Sequence, residues 1–427
     1  MSGIFINSDA WNFWNDNDFD SINESGIRRD VDFYTERGGV EAILYNMNFQ
    51  RSFYPTQVGT PIWKDCEIRE DGRMYLRGKI LEEKVDREYR SLVTKAKYLN
   101  ETLPDFMQIR YHYCHSKGVE MWHSMRMNDV HHTPLHMEHR PQHSDLWQKR
   151  KDLLRAWYRH FQRSIWSDNT FDYAQVEVYD YHLNMVKEYL LNYESDGLEL
   201  DWMRCMPIFK PGFDELNTPI LTQFMRDVRN VADDAEKKWG HKIRIAARVP
   251  SRPSDAMGMG MDIPAWCNNH CVDIIIPGPF HHMTEQDTRV KLWRLLAPHP
   301  VLIAPCINCT AQSRGPWCIE NVKEADLGFA SNFYEQGADT MYIYNHFPGH
   351  GRKHPEIQDF FSLAGNRDAV AKETRRHILT AYDPAGEGKF GEACYPPAIA
   401  FQSTSGGIKI NCGEAVKGRK AKVVIGT

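Results

Sequence analysis

The sequence predicts an α/β protein, a (β/α)8 barrel followed by a small C-terminal β-rich region. Three observations carry this. Eight short apolar stretches of strand length recur along the chain, with helical patterns between them. Such alternation implies a parallel sheet, and eight units closing on themselves make a barrel. Polar residues gather just after the apolar stretches, at the end where such barrels keep their active sites. The composition shifts near residue 384, so the barrel is assigned to residues 1–382 and the β-rich region to 383–427.

In chain order, residues 4–6 are the first strand, with Asn7, Ser8 and Asp9 at its end. A helix over 26–37 is closed by Gly38 and Gly39. The second strand, 40–45, ends in Asn46, Asn48, Gln50 and Arg51. A long excursion with a helix over 83–99 and another over 104–116 leads to the third strand, 119–122. Met125 to His132 follows, setting down an arginine, an asparagine, an aspartate and two histidines. Apolar residues at three- and four-residue steps mark a helix over 173–193. Residues 198–202 are the fourth strand, then a helix over 218–239 with Pro219 in its first turn. Strands five to eight are 243–249, 272–276, 301–305 and 341–344, with a helix over 321–336 and a mostly helical 358–379. Residues 398–401, 408–410 and 421–425 read as strands between Gly-rich turns, a small appendage or the opening of a larger β domain.

The bulk properties exclude several classes. With 427 residues and 42% hydrophobic content the chain has a globular composition. A net charge of −5 lacks the basic footprint of a nucleic-acid binder. No apolar run reaches membrane-spanning length. The N-terminus shows no basic-then-apolar leader, so a cytoplasmic location is expected. Ten irregularly spaced cysteines read as reduced thiols.

Glu199 and Asp201 lie two apart on a strand and point to one face. If Leu198 and Leu200 face the helices, both carboxylates face the barrel interior. Paired carboxylates equip glycoside hydrolysis; the plainer reading of Glu199 is a buried structural acid. Arg126, Arg204 and Arg248 end strands three, four and five, and arginine recognises a planar carboxylate with two parallel hydrogen bonds. They suit an anionic substrate, or else balance Asp9, Asp129, Glu199 and Asp201. His131 and Asp9, from strands three and one, can meet over the mouth as an acid–base pair. Asn48 and Asn128, after strands two and three, are counted with Asp201, Glu199 and Arg248 as substrate-binding groups. Cys267, Cys271, Cys306 and Cys309 could in principle bind zinc, but they lie at opposite ends of the barrel, and no metal or cofactor is expected. No dinucleotide fingerprint, phosphate loop or Gly-x-Ser-x-Gly elbow is present.

The stretch Asp-Gly-Leu-Glu-Leu-Asp-Trp-Met-Arg at 196–204 looks like the strand-four signature of glycosidase-like barrels. Together with Asp9 after strand one, Arg126 and His131 after strand three, Arg204 after strand four and Asn345 after strand eight, it resembles the inverting exo-sialidases of glycoside hydrolase family 156. The resemblance implies a barrel followed by a β-rich domain. It implies Asp9 and His131 as the catalytic pair, with Arg126, Arg204 and Asn345 holding the sugar acid. The expected partner is then a sialylated glycan or another acidic sugar, with homodimer formation left open. A glycosidase for another acidic or sulfated glycan using Asp201 and Glu199, and a non-catalytic carbohydrate-binding barrel, are the competing readings.

Overall fold

Each of the eight apolar stretches folds as a strand. The computed structural model describes residues 3–9, 12–14, 17–131, 139–158, 166–279, 284–312, 319–320, 322–344 and 356–378, with 412, 413, 418, 420 and 422. The first six strands are Ile4–Ser8, Val40–Asn46, Glu120–Arg126, Gly197–Asp201, Arg244–Val249 and Ile274–Pro277. The seventh comes in two pieces, Leu302–Ile303 and Cys306–Ile307, and the eighth is Tyr342–Ile343. Neighbours run parallel and in sequence order, and the eighth pairs with the first. Between the two pieces of the seventh strand, the Ala304 N–H donates to the Ile275 carbonyl (3.0 Å), while the Pro305 carbonyl accepts from the Tyr342 N–H (3.0 Å). Proline has no N–H to continue the ladder, so the strand changes partner there. One half serves the sixth strand and the other the eighth, which closes an α/β barrel.

Period-two alternation sorts the side chains. Leu198, Leu200, Ile245 and Ala247 belong to the large core beneath the helices. Phe5, Leu44, Trp122, Ala246, Ile274 and Tyr342 form a smaller core inside the barrel. Trp122 fills one end of this interior, with Phe5 edge-on at 5.7 Å and the Arg244 guanidinium over its ring at 5.1 Å. A Cβ at Gly197 would lie 2.4 Å from that indole, so only glycine fits there.

The helices follow the apolar stripes. Val176–Asn192 buries Val178, Met185, Val186, Tyr189 and Leu190. Asp214–Trp239 begins earlier than the sequence suggested, which puts Pro219 inside the helix rather than in its first turn. Asp214 and Glu215 supply the negative charge that favours a helix start. The single helix expected over 358–379 is two, Ile357–Ala364 and Arg367–Lys372, because the Asn366 side chain accepts from the Ala369 N–H and starts a new helix. The excursion after strand two holds an unanticipated antiparallel sheet, Cys66–Ile68, Met74–Leu76 and Lys79–Ile80. The strands expected at 398–401 and 408–410 lie outside the described residues, as does nearly all of 421–425. Among the described residues no helix is long and apolar enough to cross a membrane.

Candidate active site

Strand register builds the site in layers. Arg126 pairs with Asp201 and Asp201 with Arg248, so three inward-facing side chains share one level at the C-terminal rim. Two residues earlier on their strands, Ser124 pairs with Glu199, giving a polar layer beneath.

At the rim the acids and bases alternate. Asp9 follows the first strand, and its Oδ2 accepts from Arg126 Nη2 at 2.5 Å and from Arg204 Nη2 at 3.2 Å. Arg126 Nη1 donates to Asp129 Oδ2 at 2.9 Å. Asp129 Oδ1 accepts from the His131 backbone N–H at 3.0 Å and lies 2.7 Å from His131 Nδ1. The order is therefore Arg204, Asp9, Arg126, Asp129, His131. The first four are buried, whereas the His131 side chain is 38% exposed. Two carboxylates against two guanidiniums leave no net charge, the condition under which buried ions are tolerated. Burial opposes ionisation of Asp129, yet His131 and Arg126 hold its carboxyl far below the usual range. Burial likewise works against the Arg126 cation, and Asp9 and Asp129 outweigh it.

Asp201 forms a second cluster. Arg248 Nη1 reaches both its oxygens, at 3.0 and 3.2 Å, and the N–H groups of Met203 and Arg204 donate to its Oδ1 at 3.0 and 3.1 Å. Arg248 also donates to the Pro279 carbonyl at 2.9 Å. The Tyr344 ring lies under both guanidiniums, 3.8 Å from Arg248 and 5.1 Å from Arg204. Glu199, in the layer below, is fully buried; it accepts from Asn7 Nδ2 at 3.0 Å and from the Tyr342 hydroxyl. Burial first, and Asp201 second, push its carboxyl up to about 7.

The sequence-selected residues thus divide. Asp9, Arg126, Arg204 and His131 come together, joined through Asp129, which sequence reading had counted only as a charge to be balanced. Asp201, Arg248 and Glu199 sit beside and below them. Asn48 and Asn128 spend their amides on backbone. Asn48 bonds the Arg126 N–H and carbonyl, both at 3.1 Å, and Asn128 bonds the Phe171 N–H and carbonyl at 2.8 and 3.0 Å. Asn345 lies outside the described residues. Cys205, next to Arg204, was not singled out. Its backbone is left-handed (φ 69°), rare for a side-chain-bearing residue, and its Sγ accepts from the Val130 N–H at 3.3 Å. Among the described residues one cluster of three metal-ligating groups occurs, Asp129, His131 and Cys205; the four cysteines weighed as a zinc site are not part of it.

No family model matches the chain, and no curated protein matches it. Solved structures that resemble it include a noncanonic maltogenic α-amylase, AmyB, from Thermotoga neapolitana (10% identity, TM-score 0.42, covering 86% of this chain and 78% of that one). An α-amylase from Lactobacillus plantarum is 14% identical, with TM-score 0.44 and coverage of 90% and 84%. The GH36 α-galactosidase AgaA from Geobacillus stearothermophilus is 12% identical, with TM-score 0.43; 87% of this chain matches 43% of that one.

Proposed function

We propose that this chain is a glycoside hydrolase, an exo-sialidase that releases terminal sialic acid by a single inverting displacement. One observation carries the reading. Two arginines from different strands converge on one buried carboxylate, with a half-exposed histidine at the end of the same chain of contacts. A guanidinium has five N–H donors, and Arg126 and Arg204 are the cations that the carboxylate of a sugar acid would meet at the mouth. Asn345 belongs to the same substrate set by its place after the eighth strand. Asp129 fixes the His131 ring through Nδ1, the support a general acid or base needs. Inversion needs one group to take a proton from the attacking water and another to protonate the departing oxygen as the glycosidic C–O bond breaks. Asp9 and His131 fill those two roles.

Depth weighs against the competing acid pair, since Glu199 is fully buried in the layer beneath the rim. Asp201 is bonded by Arg248 and two backbone N–H groups, and Glu199 lies a layer down with its oxygens on Asn7 and Tyr342. Turnover of an aryl α-sialoside, followed by proton NMR, tests the assignment. The β-anomer is expected first, with no trappable glycosyl-enzyme. The α-anomer first, or a fluorosugar adduct seen by mass spectrometry, overturns inversion. Binding without turnover leaves a carbohydrate-binding barrel.

A further inference from the structure

Asp129, His131 and Cys205 bring one oxygen, one nitrogen and one sulfur donor within 4.8 Å of one another. A tetrahedral zinc ion with bonds of about 2.0–2.3 Å holds its ligand atoms roughly 3.3–3.8 Å apart. The separations in the cluster exceed that span by at most about 1–1.5 Å. The position is braced from both loops. The Met127 N–H donates to the Asp201 carbonyl at 3.2 Å, tying the end of strand three to strand four. The Val130 N–H then meets the Cys205 sulfur at 3.3 Å, fixing it against the turn that carries Asp129 and His131.

The donors also specify the kind of ion. Calcium and magnesium take oxygen ligands, whereas a mixed thiolate–imidazole–carboxylate set suits zinc and its neighbours. Asp129 keeps Oδ2 on Arg126, which leaves Oδ1, the atom now engaged with His131, to turn to a cation. His131, partly open to solvent, gives the ion a way in. Without a cation, burial and the Asp129 charge hold the thiol protonated.

We propose that Asp129, His131 and Cys205 form a site for a thiophilic divalent cation of the zinc class, and that occupancy switches off the chemistry at the mouth. The thiol loses its proton to solvent as the metal–sulfur bond forms, and a ring nitrogen of His131 gives its lone pair to the metal. His131 is then no longer a proton carrier. The site stands on the cluster alone; only the switching-off rests on the hydrolase reading.

Cobalt(II) alone is the probe, titrated into the full chain. A sulfur-to-cobalt charge-transfer band in the near ultraviolet, with visible bands of four-coordinate cobalt, is expected to saturate at one equivalent. Cys205→Ser should abolish the charge-transfer band. His131→Ala, altering a part-exposed ring, should keep the band but raise the cobalt Kd at least tenfold, so the test holds even if the cysteine variant folds poorly. Affinity should rise with pH as the displaced proton becomes easier to lose. No band at millimolar cobalt, an equal band in Cys205→Ser, or an unchanged Kd in His131→Ala each overturns the site. Zinc should then suppress sialoside turnover over the range in which it displaces cobalt, and a chelator should restore it. Undiminished turnover with zinc bound refutes the switch. If the chain turns over no sialoside, the cobalt bands still decide the site.

Discussion

Glu199→Gln is expected to stabilise the protein at alkaline pH and to do little in acid. Glu199 is fully buried, between Asn7 and Tyr342 and one layer beneath Asp201. Burial chiefly, and then the Asp201 charge, raise its carboxyl from an ordinary 4.5 to about 7. The sign follows from proton binding. Between these two values the unfolded chain has lost the proton and the folded chain has kept it, so stability falls as pH rises. At about 1.4 kcal/mol per pH unit of displacement, the loss reaches roughly 3 kcal/mol and is complete above pH 7. Glutamine resembles the neutral acid and carries no such term. Urea unfolding of both proteins at intervals from pH 4 to 8.5 isolates the effect, because every other titrating group is common to the two. The difference should be constant below about pH 4.5 and shift toward the glutamine variant by roughly 3 kcal/mol across the window. A difference that stays flat with pH would refute the neutral carboxyl.

Three further outcomes are expected. Arg126→Ala and Arg204→Ala should each weaken binding of a carboxylated sugar by about 1.5–3 kcal/mol, the worth of a charge-assisted bond, and that of its methyl ester far less; equal calorimetric losses would mean that the arginines serve only the carboxylates of Asp9 and Asp129. His131→Ala and Asp9→Ala should each lower turnover by about 10²–10⁴-fold and remove one limb of the pH profile, read from initial rates between pH 4 and 9. Asn48→Ala should leave the Arg126 N–H and carbonyl without their partner, at about 1–3 kcal/mol for each buried group; an unfolding midpoint equal to that of the parent would show that this clamp carries no weight.

Much of the barrel was legible because strand and helix periods differ, and apolar side chains report the period directly. Leu198 and Leu200 outward fixes Glu199 and Asp201 inward, and the structure agrees. The same rule assigns a face but no partner. Asn48 and Asn128 sit at the right strand ends, and nothing in their local sequence says that their amides bond the backbone of Arg126 and Phe171, 78 and 43 residues away. Asp129 was visible in the stretch that holds Arg126 and His131, but its two-sided role depends on one oxygen facing each neighbour, a matter of side-chain rotation that spacing does not encode. Cys205 was invisible for a backbone reason, since cysteine carries no preference for the left-handed conformation that turns its thiol toward Asp129 and His131. The small sheet in the excursion escaped because its strands are two or three residues long, too short for alternation to register. What sequence hides here is pairing across the mouth. The chain of contacts from Arg204 to His131 joins the ends of strands one, three and four, and it exists only once the barrel has closed.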